Sequence, residues 1–398
     1  MTLDVNAATA AYVDAMGPER LARSVAYTTG SHWILLWSLL ITIVAAWLIA
    51  RSGVLTRRII RRDGSPNKTA LLSAAAFLIL NSLITLPWTI YTDWSRQHAY
   101  GRSSQPLGDF LGQWALGTVI STVIGALLIT VVYLFLRRTG RRWWLWATAT
   151  VTAAMAVLLL AAPVVIEPLF NKFEPLPAGA VRDALVPMAI DAGVPTDRIF
   201  VYDGSRQSNN FTANAGGIAS TARIAVSDVA FKDATLAEVR AVTGHEIGHY
   251  VLQHTLWGIL MMTLLTLVSL RIAERAYPAI ARRFGVQAPL ADPAGLPALL
   301  VTLSLVSFIA TPFMSSMSRH FESAADRYSL EHVNEPDGLA TALVKTADYR
   351  NPRPNWLEEV IFYDHPSVER RVREGMAWKA AHPAAPPSDP TDGASTEH

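Results

Sequence analysis

The sequence predicts a mainly α-helical membrane protein, in which a bundle of hydrophobic helices carries a polar domain with a small β-sheet. Of its 398 residues, 51% are hydrophobic and only 17% are charged, which is too apolar for an ordinary soluble protein. The chain also contains six uncharged apolar runs of 18 or more residues, each long enough for a transmembrane helix. One such run could be a buried helix of a soluble core, but six together indicate a polytopic membrane protein.

The predicted spans form two groups, four within residues 31–166 and two within 251–318. Tryptophans such as Trp33, Trp114 and Trp143 lie at span ends, where an aromatic belt meets the membrane surface. The first run begins more than thirty residues into the chain, which is a poor match to a cleaved signal peptide. The spans cover about residues 33–50, 70–91, 114–136, 143–166, 251–270 and 294–318.

The polar segments between and around the spans must carry the aqueous chemistry. Their patterns predict a helix within 175–194, a strand at 198–202 and a β-hairpin from 211–219 and 223–228. Thr235 followed by Glu238 predicts a capping box that opens a further helix. The segments are an N-terminal cap at 1–30, two parts of one domain at 167–250 and 319–382, and a disordered tail at 383–398.

Charge and cysteine content exclude several classes of function. The 34 basic and 32 acidic residues nearly balance, so a nucleic-acid partner is not expected. The absence of cysteine excludes disulfides, thiolate catalysis and Cys-based metal sites. Any metal must therefore be bound by His, Asp or Glu. Arginine greatly outnumbers lysine in this alanine-rich chain, which favours a bacterial source with a GC-rich genome.

One motif has the spacing of a zinc site. The helix that Thr235 opens contains His245-Glu246-Ile247-Gly248-His249, an HExxH pattern. Residues four apart lie on one helical face, so both imidazoles can bind one zinc ion, with Glu246 beside them as general base. A surface helix with two unrelated histidines is the alternative, but the chance of an accidental HExxH is small.

A catalytic zinc site needs a third protein ligand. We expect the helix of His249 to continue unbroken into the fifth span, and the last two spans to form a hairpin with arms of similar length. This hairpin would place His249 beside the segment that follows Arg319. In that segment Glu322 and Asp326 are four residues apart on one helical face, so we predict Glu322 as the ligand and Asp326 as a carboxylate that orients a zinc histidine.

Two alternatives remain open for this segment. His320 could be the third ligand, which would give a site built from histidines alone. Glu322 and Asp326 could instead belong to a solvated helix face, paired with neighbouring arginines. His254, five residues beyond His249, is expected to face away from the zinc pair as a histidine at the membrane interface.

Several further motifs accompany the HExxH at 245–249. They are Leu86-Pro87-Trp88 with Tyr91, the stretch 168–177, Arg223-Ile224, Glu322 with Ala325-Asp326, and His365-Pro366 followed by Arg371. Together these motifs resemble the integral-membrane zinc CAAX prenyl proteases of type I, a family of gluzincins. The resemblance covers roughly residues 15–380, with the motifs in the family order. It implies a polytopic helical bundle that encloses a chamber around a gluzincin-type protease domain.

The resemblance also implies roles for individual residues. It implies one Zn²⁺ ion per chain on His245, His249 and Glu322, with Glu246 as the general base. His365 is implied to stabilise the oxyanion or hold the substrate carbonyl, although a histidine ahead of a proline at a helix start needs no such role. Asn214 and Ala215 are implied to lie on an edge strand that pairs with the substrate backbone, and Arg371 belongs to the family's substrate-binding motif.

Two departures from the family pattern stand out. Gly216 follows Asn214-Ala215 where the family has a tyrosine. None of the six predicted spans is expected to correspond to the first of the seven spans found in eukaryotic members, and a chamber walled by six helices is expected to be more open.

The arginine distribution and the family resemblance predict opposite orientations in the membrane. An alternating topology places the arginine-rich segments 51–62, 137–142 and 271–283 on one side, and the positive-inside rule makes that side cytoplasmic. The zinc site and both termini would then face outward from a bacterial plasma membrane. The resemblance to eukaryotic members, whose protease domain faces the cytosol, implies the opposite orientation.

The sequence therefore predicts a membrane-embedded zinc metalloendopeptidase that acts on a peptide or lipidated-peptide substrate and is surrounded by membrane lipids. Within enzymes, the alternative is a quality-control metalloprotease that degrades damaged membrane proteins. Outside enzymes, the alternative is a non-catalytic channel, transporter or scaffold. The predicted spans contain no Asp, Glu, Lys or Arg, which argues against an ion or proton pathway.

Overall fold

The computed structural model describes residues 3–55, 65–217 and 221–383 and consists mainly of helices. The predicted tail at 383–398 lies outside these residues except for Pro383. The helices are α1 Val5–Asp14, α2 Gly17–Ser52, α3 Pro66–Thr89, α4 Arg96–Ala99, α5 Leu107–Arg138, α6 Trp143–Ala161, α7 Ala180–Asp191, α8 Ala230–Asp233, α9 Leu236–Val251, α10 His254–Arg283, α11 Leu296–His332, α12 Pro336–Lys345, α13 Trp356–Phe362 and α14 Val368–Ala381.

Six helices in the described part of the chain are long and apolar enough to cross a membrane, as predicted. They are α2, α3, α5, α6, α10 and α11, and several extend well beyond the apolar runs. Residues 1–30, predicted as a cap, contain α1 and the first turns of α2. α11 is a single helix of 37 residues that continues past the apolar run and carries Glu322 and Asp326.

The arginine-rich connections meet at one end of the bundle. Leu55 at the beginning of the first connection and Phe284 just after α10 belong to one hydrophobic cluster. Arg137 at the end of α5 donates a hydrogen bond to Asn67 at the start of α3. This arrangement has the alternating topology expected from the sequence, although residues 56–62 of the first arginine-rich segment lie outside the described residues.

The polar domain contains a mixed four-stranded sheet in the order β1-β2-β4-β3. β2 is parallel to β4, and β3 pairs antiparallel with β4 with Ala213 opposite Val226 and Gly216 opposite Arg223. The predicted strand and hairpin are thus confirmed, while β1 was not anticipated because it has three residues and ends in a proline. The strands are β1 Phe173–Pro175, β2 Ile199–Tyr202, β3 Ala213–Gly216 and β4 Arg223–Ser227.

Two apolar cores hold this domain together. In the first, Leu185 of α7, Ile224 of β4 and Ile247 of α9 pack together, so α7 and α9 cover the sheet. In the second, Leu339 of α12 and Val372 of α14 pack with residues of α1 and α2. The N-terminal helices are therefore fastened to the C-terminal ones, and α9 is supported from both sides.

The prediction of an unbroken helix from His249 into the fifth span is wrong. α9 ends at Val251 and α10 begins at His254, with Gln253 between them in the left-handed region at a φ of 55°. Neither glycine nor proline marks this break in the sequence, so the local pattern gave no signal for it.

Candidate metal centre

The helix that carries the HExxH motif is fixed at its start by the predicted capping box. The Thr235 hydroxyl accepts a hydrogen bond from the backbone N–H of Glu238, and the Glu238 carboxylate accepts one from the backbone N–H of Thr235. Lys345 of α12 donates a further hydrogen bond to Glu238 over 2.7 Å. These contacts satisfy N–H groups that lack partners within the helix and set the rotation of α9.

Glycines in α9 allow α11 to approach closely. A Cβ at Gly248 would lie 3.1 Å from the Cα of Ala325, and a Cβ at Gly244 would lie 2.5 Å from a methyl group of Val333. Both contacts are tighter than ordinary van der Waals packing. The small residue between the two motif histidines therefore brings Glu322 within reach of them.

Three predicted ligands come together where α9 faces α11. Nε2 of His249 lies 3.1 Å from Nε2 of His245. The Glu322 carboxylate lies 3.2 Å from Nε2 of His245 and 3.3 Å from Nε2 of His249. These three residues form the group of ligand atoms in the described chain that could hold a metal ion. His320, the alternative ligand, is exposed and is not a member of this group.

The arrangement fits a zinc ion. Ligand atoms placed tetrahedrally at zinc–nitrogen distances of about 2.0–2.1 Å lie about 3.3 Å from one another, close to the separations in this cluster. Oε2 of Glu322 is buried and has no hydrogen-bond partner among the residues that the structure describes. A buried carboxylate oxygen without a hydrogen-bond donor is costly unless a cation neutralises it.

Asp326 and Arg371 lie behind His245. Nδ1 of His245 is 2.8 Å from Asp326 Oδ1, which matches the predicted orienting role of this carboxylate. Arg371 donates two hydrogen bonds of 2.7 Å, one to each oxygen of Asp326. Burial alone would lower the pKa of His245, but the neighbouring carboxylates of Asp326 and Glu322 outweigh it and raise the pKa to about 10. Arg371 was expected to bind substrate, whereas its main contact is with Asp326.

His254 does not face away from the predicted zinc pair, contrary to expectation. Its Nδ1 lies 2.9 Å from Nδ1 of His249, and its ring stacks on Phe321 with centroids 4.6 Å apart. The break at Gln253 turns α10 so that His254 folds back onto α9. His254 is thus placed to orient the second histidine, as Asp326 is placed to orient the first.

Glu246 borders a cavity of about 260 Å³, here called the metal-site cavity, together with His245 and Glu322. Burial raises the pKa of the Glu246 carboxyl above its ordinary value. A raised pKa suits a carboxylate that must accept a proton and give it back. Leu339 and Leu343 of α12 provide an apolar wall of the cavity.

His365 also lines the metal-site cavity. Its Nε2 is 3.3 Å from Glu322, and its Nδ1 is 2.9 Å from the carboxylate of Asp364. Arg319 of α11 donates hydrogen bonds to the backbone carbonyls of Glu359 and Tyr363, at the end of α13. These contacts fix the segment that leads to His365. The sequence alone did not predict these contacts of Arg319 and Asp364. The partners of Arg319 are distant along the chain, and the contact of Asp364 depends on the loop conformation.

Asn214 and Ala215 lie on β3, an edge strand of the sheet as expected. The neighbouring residues Phe211 and Ala213 line the metal-site cavity, whereas Asn214 and Ala215 line a second, larger cavity. The strand therefore connects the two cavities.

Comparison with known proteins identifies the family. Residues 175–379 match peptidase family M48, and residues 4–172 match the N-terminal region of CAAX prenyl proteases, which is described as having five membrane helices. The chain belongs to peptidase family M48. Within residues 4–172 the described part of this protein has four helices long enough to cross a membrane, one fewer than that description.

Several M48 relatives extend over most of the chain. The uncharacterized metalloprotease YhfN of Bacillus subtilis is 28% identical over 310 residues, covering 76% of this chain and 73% of the relative. The CAAX prenyl protease 1 homolog of Arabidopsis thaliana is 25% identical over 377 residues, covering 91% and 88%. The crystal structure of S. mikatae Ste24p matches with a TM-score of 0.74 at 19% identity, covering 94% of this chain and all of that one.

The predicted class of protein is thus confirmed. This M48 member is a multi-pass, membrane-embedded metalloprotease with a peptide substrate, and its fold is that of Ste24p. The alternative of a non-catalytic channel, transporter or scaffold is not supported.

Proposed function

We propose that this protein is a zinc endopeptidase with one Zn²⁺ ion held by His245, His249 and Glu322. The observation that carries this proposal is the spacing of about 3.1–3.3 Å among the three ligand atoms. When bound, zinc polarises the scissile carbonyl and makes water more acidic. The parts of the chain at 167–250 and 319–382 together form the protease domain, because the ligands come from both.

The chain's own residues perform the proton transfers in this proposal. Glu246 accepts a proton from the attacking water and passes it to the leaving amine, which its raised pKa favours. His365, held by Asp364, donates a hydrogen bond to the developing oxyanion. The edge strand β3, which includes Asn214 and Ala215, offers backbone N–H and C=O groups to an extended peptide.

Glu246→Gln tests the general base. The amide preserves the size of the side chain but cannot accept the proton, so peptide cleavage should fall by about 10²–10⁴-fold while zinc content stays at one ion per chain. Zinc is measured by elemental analysis and cleavage with a fluorogenic peptide. Cleavage by Glu246→Gln at the wild-type rate would show that another group is the base.

We further propose that the substrate is a C-terminal peptide carrying a lipid, since relatives are named CAAX prenyl proteases. A farnesylated peptide and its unmodified counterpart, compared at equal concentration, test this substrate class. Preference for the unmodified peptide, or for an unfolded membrane protein, would contradict it.

For the membrane orientation we propose a bacterial plasma membrane with the arginine-rich end in the cytoplasm and the metal centre outside, following the positive-inside rule. A reporter that is active on only one side of the membrane, fused to the C-terminus, tests this orientation. Cytoplasmic activity of that reporter would reverse it.

A further inference from the structure

The edge strand β3 runs between two cavities. Its first residue, Ala213, lines the metal-site cavity. Asn214, Ala215 and Gly216 line a second cavity of about 550 Å³, here called the strand-end cavity. A strand advances about 3.3 Å per residue, so Gly216 lies about 10 Å along the strand from Ala213. A peptide that pairs with β3 at the metal centre therefore reaches the strand-end cavity within about three residues of the cleaved bond.

The strand-end cavity has a largely apolar wall. Leu159 and Pro163 from the end of α6, and Val251 and Leu256 from the junction of α9 and α10, contribute apolar surface. The charged groups at its border are already paired with protein groups. Arg223 donates hydrogen bonds to the carboxylate of Glu167 and to the carbonyl of Pro163. This lining favours an apolar ligand, since an added charge would find no free counter-charge in that pair.

Gly216 leaves this cavity open although the fold does not require a glycine there. A Cβ at Gly216 would meet no atom within 4 Å. The next residue differs, because Gly217 has a φ of +95° and its Cβ would lie 2.2 Å from the carbonyl oxygen of Thr221. Gly217 is thus needed by the backbone, whereas the missing side chain at Gly216 only creates space.

Side chains alternate between the two faces of β3, and the open space at Gly216 lies on the face that points away from the sheet's core. Ala213 and Ala215 pack against the apolar core beneath the sheet. Residues two apart share a face, so Asn214 and a side chain at position 216 would project from the opposite face. Gly216 is also where this chain departs from the tyrosine of the family pattern.

We propose that the strand-end cavity is a specificity subsite that accepts a bulky apolar group of the substrate, and that Gly216 is the residue that opens it. The inference rests on the proposed pairing of the substrate with β3. The apolar group has two possible sources, a large side chain of the peptide or an isoprenoid on a cysteine thioether.

Gly216→Phe, which fills the cavity from the strand, tests the subsite. In one peptide series, Ala, Leu, Phe or Trp is placed at one position at a time. The positions tested are the three before and the three after the cleaved bond. A second series carries S-farnesylcysteine at the same positions. At one position the wild type should prefer the bulky group, and Gly216→Phe should lower kcat/KM for it by about tenfold or more relative to the alanine peptide. The series in which Gly216→Phe loses this preference shows whether the group is a peptide side chain or an isoprenoid.

Gly258→Phe is the matched control, because Gly258 on α10 also has open space around its Cβ and does not line the cavity. It should retain the wild-type preference. Retained zinc and an unchanged thermal midpoint show that Gly216→Phe is folded. For each variant, kcat/KM for the bulky peptide is divided by kcat/KM for the alanine peptide, so that a general loss of activity is not counted as a loss of preference.

The outcomes separate the subsite from the catalytic assignment. If Gly216→Phe and Gly258→Phe show the same size preferences as the wild type in both series, the subsite is wrong while the zinc endopeptidase stands. If wild-type protein cleaves no peptide faster than Glu246→Gln does, the proposed function itself fails.

Discussion

Replacing Asp326 with asparagine removes the charge behind His245, one of the three proposed metal ligands, with little change of shape. The Asp326 side chain is 1% exposed, and its two oxygens meet Nδ1 of His245 and two N–H groups of Arg371 at 2.7–2.8 Å. An asparagine offers one acceptor oxygen and no charge, so at least one of these contacts is lost and the Arg371 guanidinium stays buried without its counter-ion.

The expected loss of metal affinity follows from the position of Asp326. Groups that orient a ligand contribute about 10–100-fold to metal affinity, or about 1.4–2.7 kcal/mol. Asp326→Asn should therefore bind zinc 10–100-fold more weakly and recover much of its peptide cleavage in excess zinc. Competition with a chelator of known affinity measures the change.

Asp337→Asn is the control for this experiment. Asp337 also pairs with a cation, Lys379 at 2.6 Å, but its side chain is 49% exposed and lies outside the metal centre. Removing the negative charge of Asp337 should leave zinc affinity unchanged. Equal zinc affinity of Asp326→Asn and wild type would refute the orienting role of Asp326.

Three further predictions concern α9 and its neighbours. Glu238→Gln weakens the capping box and should lower stability by about 1 kcal/mol at neutral pH. Burial acts to raise the pKa of Glu238, but Lys345 and the cap lower it below 4.5, so the difference in thermal midpoint should vanish as pH falls through that lowered value. Gly248→Leu should separate α9 from α11 and abolish zinc binding in elemental analysis, whereas zinc retention would contradict the close packing. His254→Ala should lower zinc affinity about tenfold in the chelator assay, and an unchanged affinity would make its contact with His249 incidental.

The three proposed metal ligands could be selected from the sequence because their signals are local or follow from helix lengths. His245 and His249 are four residues apart on one helix, and Glu322 follows from the lengths of two hydrophobic helices that pack as a hairpin. The contact between Arg371 and Asp326 joins residues 45 positions apart, so no local sequence pattern indicated that Arg371 would pair with Asp326. The position of His254 depended on a left-handed residue at Gln253, which neither composition nor periodicity marks.

The break at Gln253 gives the metal centre two different attachments to the membrane. Glu322 belongs to α11, whose 37 residues form one helix of about 55 Å that contains Pro312 and extends well beyond a hydrocarbon core of about 30 Å. His249, in contrast, is separated from the transmembrane part of α10 by the helix break at Gln253. A tilt of α11 in response to bilayer thickness therefore moves Glu322 on the same helix, whereas a tilt of α10 reaches His249 only across the break. We expect zinc affinity in reconstituted protein to change with lipid acyl-chain length, and affinity independent of chain length would rule out this mechanical coupling.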